Sequence, residues 1–137
     1  MHQDQIRIAT REEAIQICEH LQTFNESVIG TYRSHPVWMI HRGADAEMLG
    51  GIVGEIVFGW LNISVLWVAD SHRGSGLGSA LLKAAERAAA QEGARHVQLD
   101  TFDWQAAGFY AKHGYTEFAR LGDYPSGRDR IFMRKSL

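Results

Sequence analysis

Residues 66–79 read Leu66-Trp67-Val68-Ala69-Asp70-Ser71-His72-Arg73-Gly74-Ser75-Gly76-Leu77-Gly78-Ser79, an apolar run that gives way to three alternating glycines. Upstream, Leu61 to Ala69 reads as a strand, and downstream an alanine-rich helix runs through roughly Gln91, with Gly93 as its C-terminal cap. Where a strand turns through glycines into a helix, backbone amides lie exposed at the positive end of the helix dipole. That turn suits a phosphate or pyrophosphate. Arg73 adds a cation beside it. Glycines that serve only positive φ and close helix packing would produce the same letters, so this stretch alone leaves both readings open.

Spacing removes two nucleotide-binding motifs. A Walker loop needs Lys and then Ser or Thr after its last glycine, whereas Gly78 is followed by Ser79 and Ala80. A dinucleotide fingerprint needs glycines at relative positions one, three and six, and Gly74, Gly76 and Gly78 stand at one, three and five. What remains is a loop for a diphosphate joined to a ligand that runs back along Leu66 to Val68.

Outward from this unit the chain alternates element types. Gln5 to Ala9 reads as a strand, and Thr10 with Glu13 has capping-box spacing for a helix beginning near Arg11. Its stripe of Ile15, Cys18, Leu21 and Phe24 is expected to pack on a sheet, with Cys18 inert in that face. Asn25 to Pro36 has no clear period and is expected to be helical only in part. Strands are expected at Val37 to His41, Met48 to Phe58 and Leu61 to Ala69, the last with Leu61, Ile63, Val65 and Trp67 on one face and Trp60, Asn62, Ser64, Leu66 and Val68 on the other. His96 to Phe102 reads as a strand, Gln105 to Lys112 as a short helix, and Tyr115 to Leu121 and Asp129 to Arg134 as strands joined through Pro125 and Gly127. The implied fold class is α/β in the α+β sense, a mixed, mostly antiparallel sheet of about six to seven strands flanked by helices.

The 137 residues, 45% apolar and 22% charged, suit a single domain spanning residues 1–137. Lys and Arg total 14 against 16 Asp and Glu, a formal charge of −2, and no basic run stands out. Nucleic-acid binding driven by phosphate contacts is therefore not expected. No apolar stretch approaches a membrane span, the amino terminus lacks a leader pattern, and the single cysteine, Cys18, has no disulfide partner. A cytoplasmic setting is expected, with no membrane partner. Seven histidines show no metal-ligand spacing, so no metal is expected. Lys83, Glu86 and Arg87 read as a solvated helix face, and Trp60, Trp67 and Trp104 as core or cleft wall.

Arg73, Gly76 and Gly78 after the strand ending Trp67-Val68-Ala69-Asp70 resemble the signature of the GNAT superfamily of N-acetyltransferases: Arg or Gln, two residues, Gly, one residue, Gly or Ala. A second block is similar too, with Asp103, Ala106, Tyr110, Gly114 and Tyr115 at the places of the family's Asn, Ala, Tyr, Gly and aromatic. The resemblance covers roughly Met48 to the carboxyl terminus. It implies acetyl-CoA as acyl donor and transfer to the primary amine of a small molecule, peptide or protein by direct attack in a ternary complex. A homodimer is compatible with it. The pyrophosphate would lie on the amides of Arg73, Gly74, Ser75, Gly76, Gly78 and Ser79, and the pantetheine would pair with the edge of Leu66, Trp67 and Val68. Asp103 would stand near the cofactor, although as an ionised carboxylate it can accept but not donate a hydrogen bond. A backbone amide near Val68 would polarise the acetyl carbonyl, and Tyr110 would direct its hydroxyl at the sulfur.

A lysine-like amine with a pKa of about 10.4 costs about 4.6 kcal/mol to deprotonate at pH 7, so a base or water chain is expected. Many relatives place a Glu four residues before the valine matching Val68, and here that position is Ser64. Glu55, His41 and Asp70 are the candidates in its stead. The missing Glu also supports an alternative, a non-catalytic acyl-CoA-binding or regulatory module. Neither the acceptor nor the length of the acyl chain is written in a motif.

Overall fold

The computed structural model describes residues 5–137, which divide at the Arg33/Ser34 junction into two compact units.

The first unit is built on α1 (Arg11–Ile29). Its start follows from the capping box: Glu13 N donates to Thr10 Oγ1 at 3.2 Å, and Thr10 N donates back to Glu13 Oε2 at 2.8 Å. Arg7 holds the same carboxylate at 2.6 Å. The helix runs five residues past Phe24 before Gly30, at φ 81°, ends it, so the segment from Asn25 to Pro36 is helical only in part, as expected. Among the described residues, the expected strand Gln5–Ala9 forms no ladder. No residue of α1 is buried, and Cys18, expected in a core, is exposed. A unit with one helix has no second layer of its own to bury the stripe against.

The second unit holds six strands: β1 (His35–Arg42), β2 (Met48–Val57), β3 (Trp60–Val68), β4 (His96–Phe102), β5 (Thr116–Leu121) and β6 (Arg130–Ser136). Two helices interrupt them, α2 (Leu77–Gln91) and α3 (Ala107–Lys112). The sheet order is β1-β2-β3-β4-β6-β5, and β3 with β4 is the parallel pair in an otherwise antiparallel sheet. That pair is parallel because α2 carries the chain back across the sheet between them. Leu81, Leu82, Ala85 and Ala89 recur on one helical face, and they pack with Ile52, Leu61, Ile63, Val97, Leu99, Ile131 and Met133 in one core cluster. Truncating the fully buried Leu82 to alanine is worth about 2–5 kcal/mol. Among the described residues, no helix is long and apolar enough to cross a membrane.

Glu86 departs from the solvated face expected of it. It is 8% exposed, accepting from Tyr115 Oη at 2.7 Å and from Lys135 Nζ at 2.9 Å. Lys83 and Arg87 are exposed as expected.

Candidate functional site

Strand β3 carries an irregularity that sets the site. Val53 pairs with Val65 but Gly54 pairs with Ile63, so Ser64 is an extra residue bulged out of the ladder. The crowding is tightest at Gly54, where a Cβ would lie 2.8 Å from the carbonyl oxygen of Asn62. A bulge shifts the alternation by one. Leu61 and Ile63 face the core before it, whereas after it Leu66 and Val68 do so. Val65 and Trp67, expected on the face of Leu61 and Ile63, turn away and are 52% and 43% exposed.

The bulge coincides with a parting of strands. The parallel ladder between β3 and β4 ends at Ile63–Leu99, although β3 continues to Val68 and β4 to Phe102. Beyond that pair the strands splay. On its other side β3 stays paired to β2, and Ala69 N donates to Leu49 O at 2.8 Å. Backbone direction alternates along an antiparallel strand, so the N–H groups of Leu66 and Val68 point into the opening. They are an unused strand edge on which an extended ligand can pair.

At the end of the same strand lies the glycine loop. A single 3-10 turn, Asp70–His72, precedes Arg73, and α2 begins at Leu77 with Gly76 as its N-cap. Gly76 has φ 89° and Gly74 φ 75°, a region that glycine adopts without strain. No side chain caps α2, so its first-turn amides are open to an anion. Gly78 packs near Phe109 and Val68, and a Cβ there would meet both at ordinary contact distance, 3.6 Å. The Arg73 guanidinium pairs with Asp70 at 2.9 Å, and its Nε donates to Val68 O at 3.4 Å, tying the loop to the strand end. Ser79 Oγ hydrogen-bonds His113 Nε2 at 2.9 Å, which joins α2 to the end of α3.

Splay and loop share one cavity of about 870 Å³. Of the residues singled out from sequence, Leu66, Trp67, Val68, Arg73, Gly74, Gly76, Gly78, Ser79 and Tyr110 line it. Trp104 also lines it, as a cleft wall. Ser75 does not line it, and its hydroxyl donates to His72 O. Asp103 is likewise outside, with Oδ1 on Arg128 Nε at 3.0 Å and Oδ2 accepting from Asp129 N at 2.9 Å. Its carboxylate fastens the end of β4 to the loop before β6.

Tyr110 is 7% exposed, and burial, with a smaller push from Asp100, raises its phenol above the ordinary value. Among the described residues its hydroxyl has no hydrogen-bond partner and is not fully buried, and Tyr110 lines the cavity. It is a neutral donor there, and a poor acid.

None of the three base candidates lines the cavity. Glu55 lies within β2, His41 within β1, and Asp70 is paired to Arg73. Asp100 is the one carboxylate that does so among the described residues. Sequence reading missed it because the parting of β3 and β4 is a matter of register, although the alternation Leu99-Asp100-Thr101 already put it opposite the core-facing pair.

The family model of the acetyltransferase (GNAT) domain matches residues 33–117. The chain belongs to the GNAT acetyltransferase family. As a GNAT protein it is an acyltransferase. It is 44% identical over 96 residues to blasticidin-S acetyltransferase from Streptomyces morookaense, covering 69% of this chain and 71% of that protein. The crystal structure of an acetyltransferase from Bacillus cereus ATCC 14579 is similar across 100% of both chains, with 34% identity and a TM-score of 0.92. At the level of fold alone, the GNAT chain resembles an aminoglycoside 6'-N-acetyltransferase solved with coenzyme A, with 19% identity, a TM-score of 0.66, and 74% and 72% of the two chains covered.

Proposed function

We propose that this protein transfers an acetyl group from acetyl-CoA to the primary amine of a small molecule, the amine attacking directly while both substrates are bound. The observation that carries the reading is the parting of β3 from β4 after Ile63 and Leu99, with the uncapped start of α2 at the end of the same strand. The two features suit the two ends of one long ligand, an amide-bearing arm and a pyrophosphate.

The donor supplies an activated thioester, and the chain supplies position. Leu66 and Val68 present N–H groups to the pantetheine arm, and the Val68 amide lies where it can polarise a carbonyl brought into the opening. First-turn amides of α2 and the Arg73 guanidinium meet the pyrophosphate charge. Tyr110 offers its hydroxyl to the sulfur as thiolate character develops. Asp103 and Ser75 do not line the cavity, and no step here draws on their side chains.

A small-molecule acceptor is supported by the relative named for blasticidin S and by the cavity's volume, which is within the range of small-ligand sites. The test is a panel of amines, tyramine, tryptamine, spermidine and blasticidin S among them, incubated with acetyl-CoA. The expected result is amine-dependent release of free thiol with an equal yield of N-acetylated product. Acetyl-CoA binding without turnover of any amine would instead support a non-catalytic acyl-CoA-binding module.

A further inference from the structure

The carboxylate missing from β3 has a counterpart across the opening. Ser64 and Asp100 are the first residues beyond the last paired couple, Ile63–Leu99, one on each lip of the splay. Both line the cavity. We propose that Asp100 is the group that receives the acceptor's ammonium and takes its proton, and that Trp104, which lines the same cavity, selects amines carried on an apolar or planar frame. This rests on the transferase reading above and names the acceptor side of the same site.

The carboxylate is held by one oxygen and open at the other. Arg130 Nε, on β6, donates to Asp100 Oδ2 at 2.9 Å, and among the described residues no hydrogen bond engages Oδ1. Arg130 is itself fixed, donating to Tyr124 Oη at 3.1 Å with its guanidinium 4.9 Å from the Phe132 ring centroid. The side chain of Asp100 is 34% exposed, within reach of a ligand. Arg130 from β6 pairs with it, the Tyr110 phenol from α3 feels its charge, and His72 and Arg73 line the same cavity. Trp104 is 48% exposed, stacks on Phe102 at 4.5 Å, has the Arg128 guanidinium 5.3 Å from its ring centroid, and lines the same cavity as Asp100. An anion and an aromatic wall in one cavity suit a cation with an apolar body.

The step balances as follows. The ammonium gives one proton to Asp100, and the freed lone pair forms the C–N bond at the thioester carbon. The C–S bond breaks, the sulfur leaves as thiolate, and it takes the second proton from the new amide nitrogen. Asp100 then returns its proton to water.

The experiment compares Asp100→Asn with wild type on the best amine of the panel, with the acetyl-CoA thermal shift measured in parallel. The expected result is an unchanged shift and a kcat/KM about a hundredfold or more lower near neutral pH. That loss narrows as pH passes the amine's own pKa, where free amine no longer needs a proton acceptor. A kcat/KM within twofold of wild type overturns the proposal, and so does a loss uniform with pH and accompanied by a weaker acetyl-CoA shift. If the Asn variant fails to fold, Asp100→Glu against Asp100→Gln separates charge from shape: Glu exceeds Gln by about tenfold or more if the proposal is right, and equal activity overturns it. A wild type that turns over no amine overturns the transferase reading itself, a result distinct from an active wild type matched by its variants.

Discussion

Tyr115 Oη donates a 2.7 Å hydrogen bond to Glu86 Oε2 inside the core, and through it α2 is fastened to the chain entering β5. Lys135 Nζ, from β6, completes the site with 2.9 and 3.2 Å contacts to the same carboxylate. A buried carboxylate is tolerated only because both partners are present.

Tyr115→Phe removes the neutral donor and leaves the ion pair, so it is expected to cost about 1.5–3 kcal/mol in urea unfolding, the range for a hydrogen bond to a charged group. Glu86→Ala strands Lys135 as well and costs about 3–5 kcal/mol. Burial, reinforced by Glu86, raises the Tyr115 phenol far above its ordinary value. A raised phenol keeps its contribution intact below about pH 10, so the Tyr115→Phe difference is constant through neutral pH and shrinks only in strong alkali.

Glu13 behaves oppositely. Its hydrogen bonds to Arg7 first, and to the Thr10 backbone second, lower its carboxyl to about 2. A depressed carboxyl contributes above the unfolded value of about 4.3 and loses that contribution as pH falls through the folded value. The start of α1 is therefore expected to fray between about pH 4 and 2. An NMR titration of Glu13 with midpoint near 4.3, or fraying unchanged by Glu13→Gln, would contradict the capping geometry.

How much of this was legible in the letters depends on whether the signal was local. The capping box, the Gly93 stop, the strand His96–Phe102 and the positive-φ glycines are written within a few residues of where they act. Glu86 could not be read as buried, because Lys135 lies 49 positions away and only the sheet brings it near. Nor could the bulge at Ser64: strict alternation fits Leu61 to Trp67 well, and one unpaired residue reverses every side chain after it. Asp100 was hidden by the same feature, since nothing in the sequence of β4 states where its ladder with β3 stops. The order of elements was legible except at Gln5–Ala9, where alternation alone does not supply a pairing partner.

Gly76→Val and Gly78→Ala separate backbone strain from steric fit. No atom lies within 4 Å of a Cβ at Gly76, but its φ of 89° is one a branched residue adopts only under strain, about 1–3 kcal/mol. The loop is expected to relax away from the α2 amides, and the rise in melting temperature given by acetyl-CoA to shrink. Arg73→Ala should reduce that rise as well, by loss of charge. Gly78→Ala meets only ordinary contacts and should keep it. Equal shifts for Gly76→Val and wild type would remove the loop from donor binding.

Tyr110→Phe is expected to lower kcat by about ten to a thousandfold with acetyl-CoA affinity nearly unchanged, because the hydroxyl acts on charge that develops only as the sulfur leaves. The ring's edge contacts with Phe109 and Tyr115 survive the change. Single-turnover rates decide the point: equal rates in the two proteins exclude the hydroxyl from chemistry, whatever step limits kcat.

The account's central claim is that the donor lies in the opening between β3 and β4 with its pyrophosphate at the start of α2. Amide hydrogen exchange with and without acetyl-CoA tests it residue by residue. The prediction is slowed exchange at Leu66 and Val68, which face the opening, and at Leu77, Gly78 and Ser79 in the first turn of α2. Saturating acetyl-CoA that leaves these amides unchanged, and protects others instead, would contradict it.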